Sequence, residues 1–265
     1  MILPRSLPLR PPSRWRPLRF SLILLAVASF YAFCLSYADI DLARLWAGLP
    51  RLGAWAARAW PPDFSDFATL LERAAETISM ATLGTTAGAM IAAPLCLLAA
   101  RNTAPVPMLH APARWLLDAL RGIDSFVFAL LFVAAVGLGP FAGVLGIALH
   151  SAGSIAKLWS EAIETVERGP IEAATMSGAG RLRVIVHALL PDVSPSLAST
   201  MLYVWEFNLR ASTVLGLVGA GGIGQELKSS IDLLDFPRVF AILLIIMAMV
   251  TMVDQVSSLV RRRLA

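Results

Sequence analysis

Long apolar runs separated by short polar segments dominate the pattern of this chain. A helix of about 20 apolar residues crosses the hydrocarbon core of a bilayer. The pattern therefore predicts an all-α, polytopic membrane protein with about six transmembrane helices. The third run is short unless its helix begins near Trp115. The predicted spans are residues 20–38, 76–100, 124–138, 141–158, 194–218 and 239–260.

The first run follows five arginines, an arrangement that also describes a secretory signal peptide. Because the run from Phe20 to Ala38 is long enough to span a bilayer, we expect an uncleaved first helix. The chain then divides into a cytoplasmic basic N-terminus, residues 1–19, and a single transmembrane domain, residues 20–265. The arginines are Arg5, Arg10, Arg14, Arg16 and Arg19.

The segment before the second span differs in character from the span itself. Residues 39–73 hold several tryptophans among leucine, alanine and arginine, which is typical of the membrane–water interface. We expect an amphipathic external segment that is broken at Pro61-Pro62. The second span is rich in small residues that let helices approach closely, so we expect it inside a bundle. The tryptophans are Trp46, Trp55 and Trp60, and the small residues are Thr82, Gly84, Thr85, Thr86, Gly88 and Ala89.

The composition and the basic residues set the class and the orientation. The chain is 57% hydrophobic and 15% charged, which excludes an ordinary soluble domain. Its +4 formal charge forms no nucleic-acid-binding patch, because lysine and arginine lie in short clusters beside apolar runs. Of the 22 basic residues, fifteen fall on the side shared by both termini, six fall on the other side, and Arg210 lies within the fifth span. This excess predicts that both termini are cytoplasmic.

A polar loop at about residues 160–191 separates the fourth span from the fifth and contains residues that typically start and end a helix. Gly169 is placed to end the preceding helix, and Pro170 suits the first position of a new one. Glu172 then falls in the first turn, where the helix dipole favours a carboxylate. Gly178 is placed to end the helix in a left-handed conformation. A helix of about two turns is too short to be stable alone, so we expect a partner to hold it.

The same loop resembles the membrane permease subunits of binding-protein-dependent ABC transporters, which carry the pattern E-A-A-x3-G-x9-I-x-L-P. This chain departs from the pattern at Ala188, where isoleucine is preferred. The resemblance implies a short cytoplasmic coupling helix that docks into a groove on a separate ATP-hydrolysing subunit. It implies an ATPase-coupling role for Gly169, Pro170, Glu172, Ala173, Ala174, Gly178, Leu190 and Pro191.

A second resemblance covers roughly residues 160–225 and concerns the subfamily. The run from Leu202 to Gly224 is similar to the fifth-span signature of phosphonate ABC-transporter permeases, and so is the run from Glu161 to Ala173. This resemblance implies import of a phosphonate or a related phosphorus oxyanion across the inner (plasma) membrane. The alternatives are an ABC importer permease for another small substrate and an ion-coupled secondary transporter.

Polar residues in the fifth span are candidates for a translocation path. Glu206 and Arg210 are four residues apart, so they share a helix face and can pair. The pair either fixes helix packing or leaves Arg210, with Asn208, to temper the field felt by an anionic substrate. Ser212 and Thr213 belong to the same candidate path.

The glycines that follow the fifth span match a dinucleotide-binding fingerprint, Gly219-x-Gly221-x-x-Gly224, letter for letter. The match fails on context, because the fingerprint needs a strand before it and a βαβ unit around it. We expect a flexible external turn instead. Together with Gly222, these glycines permit either close packing at a subunit interface or a hinge at a gate.

The sequence shows no motif for ATP binding, metal binding or catalysis. No Gly-x-x-x-x-Gly-Lys-Ser/Thr phosphate loop occurs, so ATP and magnesium should be bound by the partner ATPase. The two cysteines and three histidines show no metal-ligand spacing, and no nucleophile–base constellation is visible, so we expect no enzyme. The resemblance implies two cytoplasmic ATP-binding subunits, an extracytoplasmic substrate-binding protein, and a second permease, either another copy of this chain or a sister chain.

Overall fold

The computed structural model describes residues 15–104 and 107–264, which form helices and turns without a strand. The prediction of a basic N-terminus therefore falls mostly outside the described residues. The chain separates into two compact units, Met1–Trp55 and Ala56–Ala265. The helices are α1 (Trp15–Tyr37), α2 (Leu42–Arg58), α3 (Phe67–Ala99), α4 (Pro107–Gly122), α5 (Ser125–Val136), α6 (Pro140–Glu164), α7 (Arg168–Met176), α8 (Arg181–Val184), a π-helix (Ile185–Leu189), α9 (Leu190–Leu215), a 3₁₀ turn (Gly216–Val218), α10 (Gly222–Asp232) and α11 (Phe236–Leu264).

Four described helices are long and apolar enough to cross a membrane: Phe20–Tyr37, Phe67–Ala99, Pro140–Glu164 and Phe236–Arg263. The pair formed by α4 and α5 adds a fifth if it is counted as one broken span, bent by 83°. Helix α9, the predicted fifth span, is 26 residues long but is not among the helices that are apolar enough to cross a membrane on composition alone. The described helices thus supply four or five of the six predicted spans on length and composition.

Helix α2 has the amphipathic pattern expected of the segment after the first span. The Asp41 carboxylate accepts hydrogen bonds from the backbone N–H groups of Ala43 and Arg44 at 2.9 and 3.1 Å, which starts the helix. Three arginines recur every seven residues and therefore lie on one helix face, opposite leucines such as Leu42 and Leu49. The helix ends before Pro61, as predicted. The arginines are Arg44, Arg51 and Arg58.

Helix α3 begins at Phe67, earlier than the predicted start near residue 76. The reason is that residues 67–75 continue the helix and bury Leu70 and Ala74 against α11 and its neighbours. The small residues do pack inside a bundle, since a Cβ atom added to Gly88 would lie 2.8 Å from the Ser151 Cβ of α6. Most of the predicted small residues are buried, and two of them, Thr82 and Thr86, are exposed.

The predicted third span is broken. Helix α5 has 12 residues, about 18 Å at 1.5 Å per residue, and alone is too short to cross a bilayer. Asp124 causes the break, because its carboxylate accepts from the N–H of Phe126 at 2.8 Å and caps a new helix. The turn predicted before the fourth span is confirmed: Gly137 and Gly139 have φ of 99° and 140°, and α6 begins at Pro140.

The centre of the second unit is formed by α3, α6 and α9. Helices α3 and α6 share the most extensive helix–helix contact in this unit, through small residues on both faces. Buried apolar clusters join these helices to α4 on one side and to α10 and α11 on the other. This packing places the loop between α6 and α9 at one end of the bundle.

Candidate functional site

Helix α7 is the short helix predicted from the polar loop. It has nine residues and ends at Met176, after which Gly178 adopts a left-handed conformation with φ of 81°. The Gly178 N–H donates to the Thr175 carbonyl at 3.0 Å, and the Ala179 N–H donates to the Ala174 carbonyl at 3.3 Å. These bonds satisfy carbonyls left open at the helix end. The predicted role of Gly178 as a helix terminator is confirmed.

The predicted start of this helix was wrong by about two residues. Helix α6 ends at Glu164, so Gly169 does not end it, and α7 begins at Arg168 after the extended residue Glu167. First-turn N–H groups need no partner within the helix, so both Gly169 and Pro170 fit inside that turn. As a consequence Glu172 lies beyond the first turn.

Most residues of the predicted coupling set lie on an exposed surface. Glu172, Ala173, Gly178 and Pro191 are exposed, and Ala174 is half-buried. Ile171 turns a large side chain inward, where it packs against the core cluster of α3, α4, α6 and α9. Leu190 of the predicted set is 45% exposed, and the motif did not indicate two further large apolar side chains on this surface, Met176, 88% exposed, and Leu182, 74% exposed.

Behind α7, an arginine connects this loop to α3. Arg181, the first residue of α8, donates from Nη2 to the carbonyl oxygens of Thr103 and Ala104, the latter at 2.6 Å. A cavity of about 270 Å³ lies beside these bonds, between α7 and the end of α3. Sequence reasoning missed Arg181, because nothing in its local sequence indicates an acceptor 77 residues away.

A carboxylate ties together three helices at this end of the bundle. Glu164, the last residue of α6, accepts from the Arg101 backbone N–H at 2.8 Å and from the Arg114 guanidinium at 2.9 Å. The Asn102 side chain donates to the Ile163 carbonyl at 2.7 Å. The turn after α3 is therefore held firmly to α6.

The predicted pair on α9 belongs to a larger ion-pair network with α11. Glu206 accepts from Arg210 at 3.1 Å, as predicted, and from Arg261 at 3.0 Å through its other oxygen. Arg210 also lies 3.8 Å from Asp254. The four charges sum to zero. Arg210 is the most open of them, with 47% of its side chain exposed against 15% for Glu206.

Two residues predicted to line a path are buried inside this chain. Asn208 is fully buried and donates to the hydroxyl oxygens of Thr85 at 2.8 Å and Ser151 at 2.7 Å, joining α9 to α3 and α6. The side-chain Oδ1 of Asn208 has no hydrogen-bond partner among the described residues. Ser212 is also buried, and its hydroxyl donates to the backbone carbonyl of Asn208 at 2.7 Å. Thr213 is only half-buried.

The glycine turn after α9 is packed inside the bundle, so the expectation that this turn is flexible was wrong. Gly221, Gly222 and Gly224 are buried, and a Cβ atom on Gly224 would collide with the Thr213 carbonyl. Gly219, Gly221 and Gly222 have φ between 70° and 89°, a region that favours glycine.

Helix α3 holds the start of α10. Glu76 accepts from the Gly222 N–H at 3.2 Å, and Thr77 accepts from the Ile223 N–H at 2.9 Å. These bonds satisfy first-turn donors of α10, a helix that the sequence analysis read only as a polar stretch. Within residues 15–104 and 107–264, no group of three or more histidine, cysteine, aspartate or glutamate side chains could hold a metal ion.

A cavity of about 390 Å³ opens beside Arg210. Its walls come from α9 and from the start of α5, and they include Phe207, Asp124 and Ser125. The Asp124 carboxylate is already engaged as the cap of α5. Among the described residues that line this space, Arg210 is the basic one.

Comparison with known proteins places the chain in a family. Residues 92–265, about two thirds of the chain, match the family described as binding-protein-dependent transport system inner membrane component. The chain is 47% identical over 235 residues to the putative phosphite transport system permease protein HtxC of Stutzerimonas stutzeri, covering 89% of this chain and 83% of that protein. It is 43% identical over 243 residues to the phosphite transport system permease protein PtxC of the same organism, covering 92% and 86%.

The fold agrees with a solved transporter. The chain is similar to a structure titled inward facing conformations of the MetNI methionine ABC transporter, with a TM-score of 0.65 and 21% sequence identity. The similarity covers 74% of this chain and 96% of that one, and at this identity it concerns the fold alone. The chain thus belongs to the family of binding-protein-dependent transport system inner membrane components and is the permease component of an ABC importer, most like the phosphite and phosphonate transport permeases.

Proposed function

We propose that this permease carries phosphite, phosphonate or a related phosphorus oxyanion inward across the inner membrane, driven by ATP that a separate subunit hydrolyses. The observation that carries the proposal is the identity of 47% and 43% to two proteins named as phosphite permeases, over most of each chain. The half-exposed guanidinium of Arg210 supports it. Arginine presents a planar fork of N–H donors that suits phosphorus oxyanions.

Helix α7 is the coupling helix in this proposal. Glu172, Ala173 and Met176 of this helix are exposed, and so is Leu182 of α8, which gives the loop an outer surface suited to a groove on the ATPase. Small alanine side chains allow a close approach to that partner. Leu190 and Pro191 start α9 directly after this surface, so docking would act at the base of a helix that belongs to the bundle.

The translocation path is proposed to run along α9 past Arg210 and the half-buried Thr213. Glu206 supports the path by balancing the arginines. Asn208 and Ser212, which were candidates for its lining, are buried in the single chain, so their place in the proposal is to hold α9 against α3 and α6. The glycines Gly219, Gly221, Gly222 and Gly224 form the joint between α9 and α10 and are proposed as the hinge of a gate.

Six spans with both termini inside remain the proposed topology. Helix α9 is about 39 Å long at 1.5 Å per residue, more than the roughly 30 Å hydrocarbon core requires. Its apolarity is lowered by polar residues such as Glu206, Arg210 and Asn208, and each of these has a partner inside the bundle. Partnered polar groups are tolerated in a membrane when they face other helices. Counting α9 and the broken pair α4–α5 gives six.

The proposed assembly contains two cytoplasmic ATP-binding subunits, an extracytoplasmic substrate-binding protein and a second permease, most simply another copy of this chain. ATP and magnesium bind to the partner ATPase, and this chain binds no cofactor. Family membership supports these partners, because the family name itself makes transport dependent on a binding protein.

The coupling role is tested by Glu172→Lys and Gly178→Leu in the complete transporter. Lysine reverses a charge on the docking surface, and leucine cannot easily adopt the left-handed conformation of Gly178, which costs on the order of 1 kcal/mol for a residue with a side chain. We expect phosphite uptake and co-purification of the ATPase to fall while the amount of permease in the membrane stays unchanged. As a control, Gly180→Ala changes an exposed glycine of the same loop with negative φ and open space around it. Unchanged uptake in both test variants would count against docking through α7.

A further inference from the structure

The helix proposed to contact the ATPase is only partly packed against the body of the permease. Ile171 of α7 reaches the core cluster, but Thr175 of the same helix borders the cavity of about 270 Å³. Residues Asn102 and Thr103, just after α3, form the opposite wall. Tightly packed side chains transmit a displacement, whereas a void leaves its lining without contacts to push against. A movement of α7 therefore needs another route into the bundle.

The chain itself provides one route, and it passes through an irregular segment. After the left-handed turn at Gly178, α8 leads into the π-helix Ile185–Leu189 and then into α9. Short π-helical segments interrupt the regular hydrogen-bond ladder and often occur at functional positions. Along the chain this route leads into α9, and Leu189 of the π-helix is buried in the core cluster of α3, α4, α6 and α9.

The second route is the side chain of Arg181. Its guanidinium donates to two carbonyl oxygens, those of Thr103 and Ala104, in the turn that follows α3. Hydrogen bonds with an ionised donor are stronger than neutral ones, and two acceptors fix the direction of the guanidinium. Arg181 and Thr103 both line the cavity, so these bonds connect α8 to the turn after α3 beside the unfilled space.

The acceptor end of this link is rigid. The N–H of Arg101 and the side chain of Asn102 bind Glu164 and the Ile163 carbonyl of α6 at 2.8 and 2.7 Å. Since α3 and α6 share the most extensive helix contact of the second unit, a force applied to this turn reaches both helices.

We propose that Arg181 is a positioning residue that transmits the movement of α7 to α3 and α6 during the transport cycle. The inference rests on the proposed docking of α7 onto the ATPase. It assigns a function to a residue outside the coupling motif, and it separates two tasks: α7 binds the ATPase, and Arg181 converts that binding into movement of the spans.

The experiment measures phosphite transported per ATP hydrolysed, in proteoliposomes that contain the complete transporter and its binding protein. Arg181→Met keeps the length of the side chain and removes its donors. Arg181→Lys keeps the charge and some donors. The matched control is Arg183→Met, because Arg183 lies on the same short helix, is exposed, and has no side-chain hydrogen bond or ion pair among the described residues.

We expect Arg181→Met to lower the ratio of transport to hydrolysis by roughly fivefold or more, the lower range of ordinary coupling free energies. Arg181→Lys should recover part of the loss, and Arg183→Met should match the unmodified protein. All three should retain the ATPase on co-purification. If Arg181→Met does not accumulate in the membrane, the ratio is read from Arg181→Gln, which keeps an amide donor at a shorter reach.

Two results would overturn the inference. One is an unchanged ratio in the Arg181 variants. The other is loss of ATPase co-purification in these variants, which would make Arg181 part of the docking surface. Failure of the docking proposal looks different, since Glu172→Lys would then retain both the ATPase and full uptake whatever Arg181 does.

Discussion

At the scale of single residues, charges inside the bundle are balanced within the bundle. An unpaired charge near the centre of a bilayer costs roughly 2.5–3.5 kcal/mol on insertion scales. Glu206 and Arg210 lie on α9, and Asp254 and Arg261 lie on α11. Each helix therefore contributes one negative and one positive charge to this network. Because Arg261 also binds Glu206, Arg210 can release Glu206 and bind an anion without leaving that carboxylate unpaired.

Replacing Arg210 tests this account. In Arg210→Gln, Glu206 keeps its bond to Arg261, and Asp254 loses only a contact of 3.8 Å, which is longer than a hydrogen bond, so the protein should still fold and insert. Loss of a charged hydrogen-bond donor costs about 1.5–3 kcal/mol, and we therefore expect the KM of phosphite uptake to rise roughly tenfold or more. The double variant Glu206→Gln with Arg210→Gln should show the same defect.

The control for this experiment is Arg262→Gln, which removes an exposed arginine next to the network. We expect its KM to be unchanged. Normal KM in the double variant would show that the pair has a structural role only, because a neutral pair could then replace it.

Residue-scale features were predictable from sequence only where the partners are close along the chain. The spacing of four residues predicted that Glu206 pairs with Arg210. It could not predict Arg261, which is 55 residues further on and reaches Glu206 only because α11 packs beside α9. The bonds from Asn208 to Thr85 and Ser151 could not be predicted for the same reason, because these partners are distant in the sequence. The burial of Asn208 could not be predicted either, since it depends on the packing of α9 against α3 and α6.

At the scale of helices, the joint between α9 and α10 is the most tightly packed feature among the candidate sites. A side chain on Gly224 would meet the Thr213 carbonyl, and one on Gly216 would meet the backbone of Gly224. Backbone atoms cannot move aside as flexible side chains do. The two helices therefore approach each other only because glycine stands at both positions.

We expect Gly224→Ala to destabilise the protein by about 1–3 kcal/mol, the usual cost of overpacking. The effect is read as a lower midpoint of thermal unfolding in detergent. Gly122→Ala serves as the control, since Gly122 has open space around it and no positive φ, and it should cause no loss. Equal midpoints for both variants would refute the close packing of this joint.

Helix existence was more predictable than helix boundaries. Glycine and proline near residues 169–178 correctly indicated a short helix in the polar loop. The predicted start of this helix was wrong because its first turn accommodates both Gly169 and Pro170, so neither residue marks the boundary. The break between α4 and α5 was missed because an apolar pattern does not reveal that Asp124 caps a new helix. Helix α10 was missed because Glu76 and Thr77 of a distant helix hold its first turn.

At the scale of the whole molecule, composition indicated a membrane protein, but apolarity alone could not count the spans. Helix α9 combines membrane length with polar residues, and only tertiary contacts show that these residues have partners. The coupling motif and the fifth-span signature indicated the family, which the family match and the relatives confirm. The proposed orientation depends on the distribution of basic residues.

Cysteine labelling tests that orientation in a variant without Cys34 and Cys96. We expect a maleimide that cannot cross the membrane to label Arg58→Cys, in the segment after the first span, from outside intact cells. Ser177→Cys, at the end of α7, should react only after the membrane is opened. Both positions are exposed, so accessibility reports the side of the membrane. Labelling of Ser177→Cys in intact cells would place α7 on the wrong side for an ATPase.

In the proposed function, this chain moves a phosphorus oxyanion only when a separate ATPase drives it. Uptake of labelled phosphite is measured in proteoliposomes that contain this chain, its ATPase and its binding protein. We expect uptake that requires all three proteins and ATP, and we expect that an ion gradient cannot replace the ATP. Phosphite uptake driven by an ion gradient in vesicles that lack the ATPase would contradict this proposal.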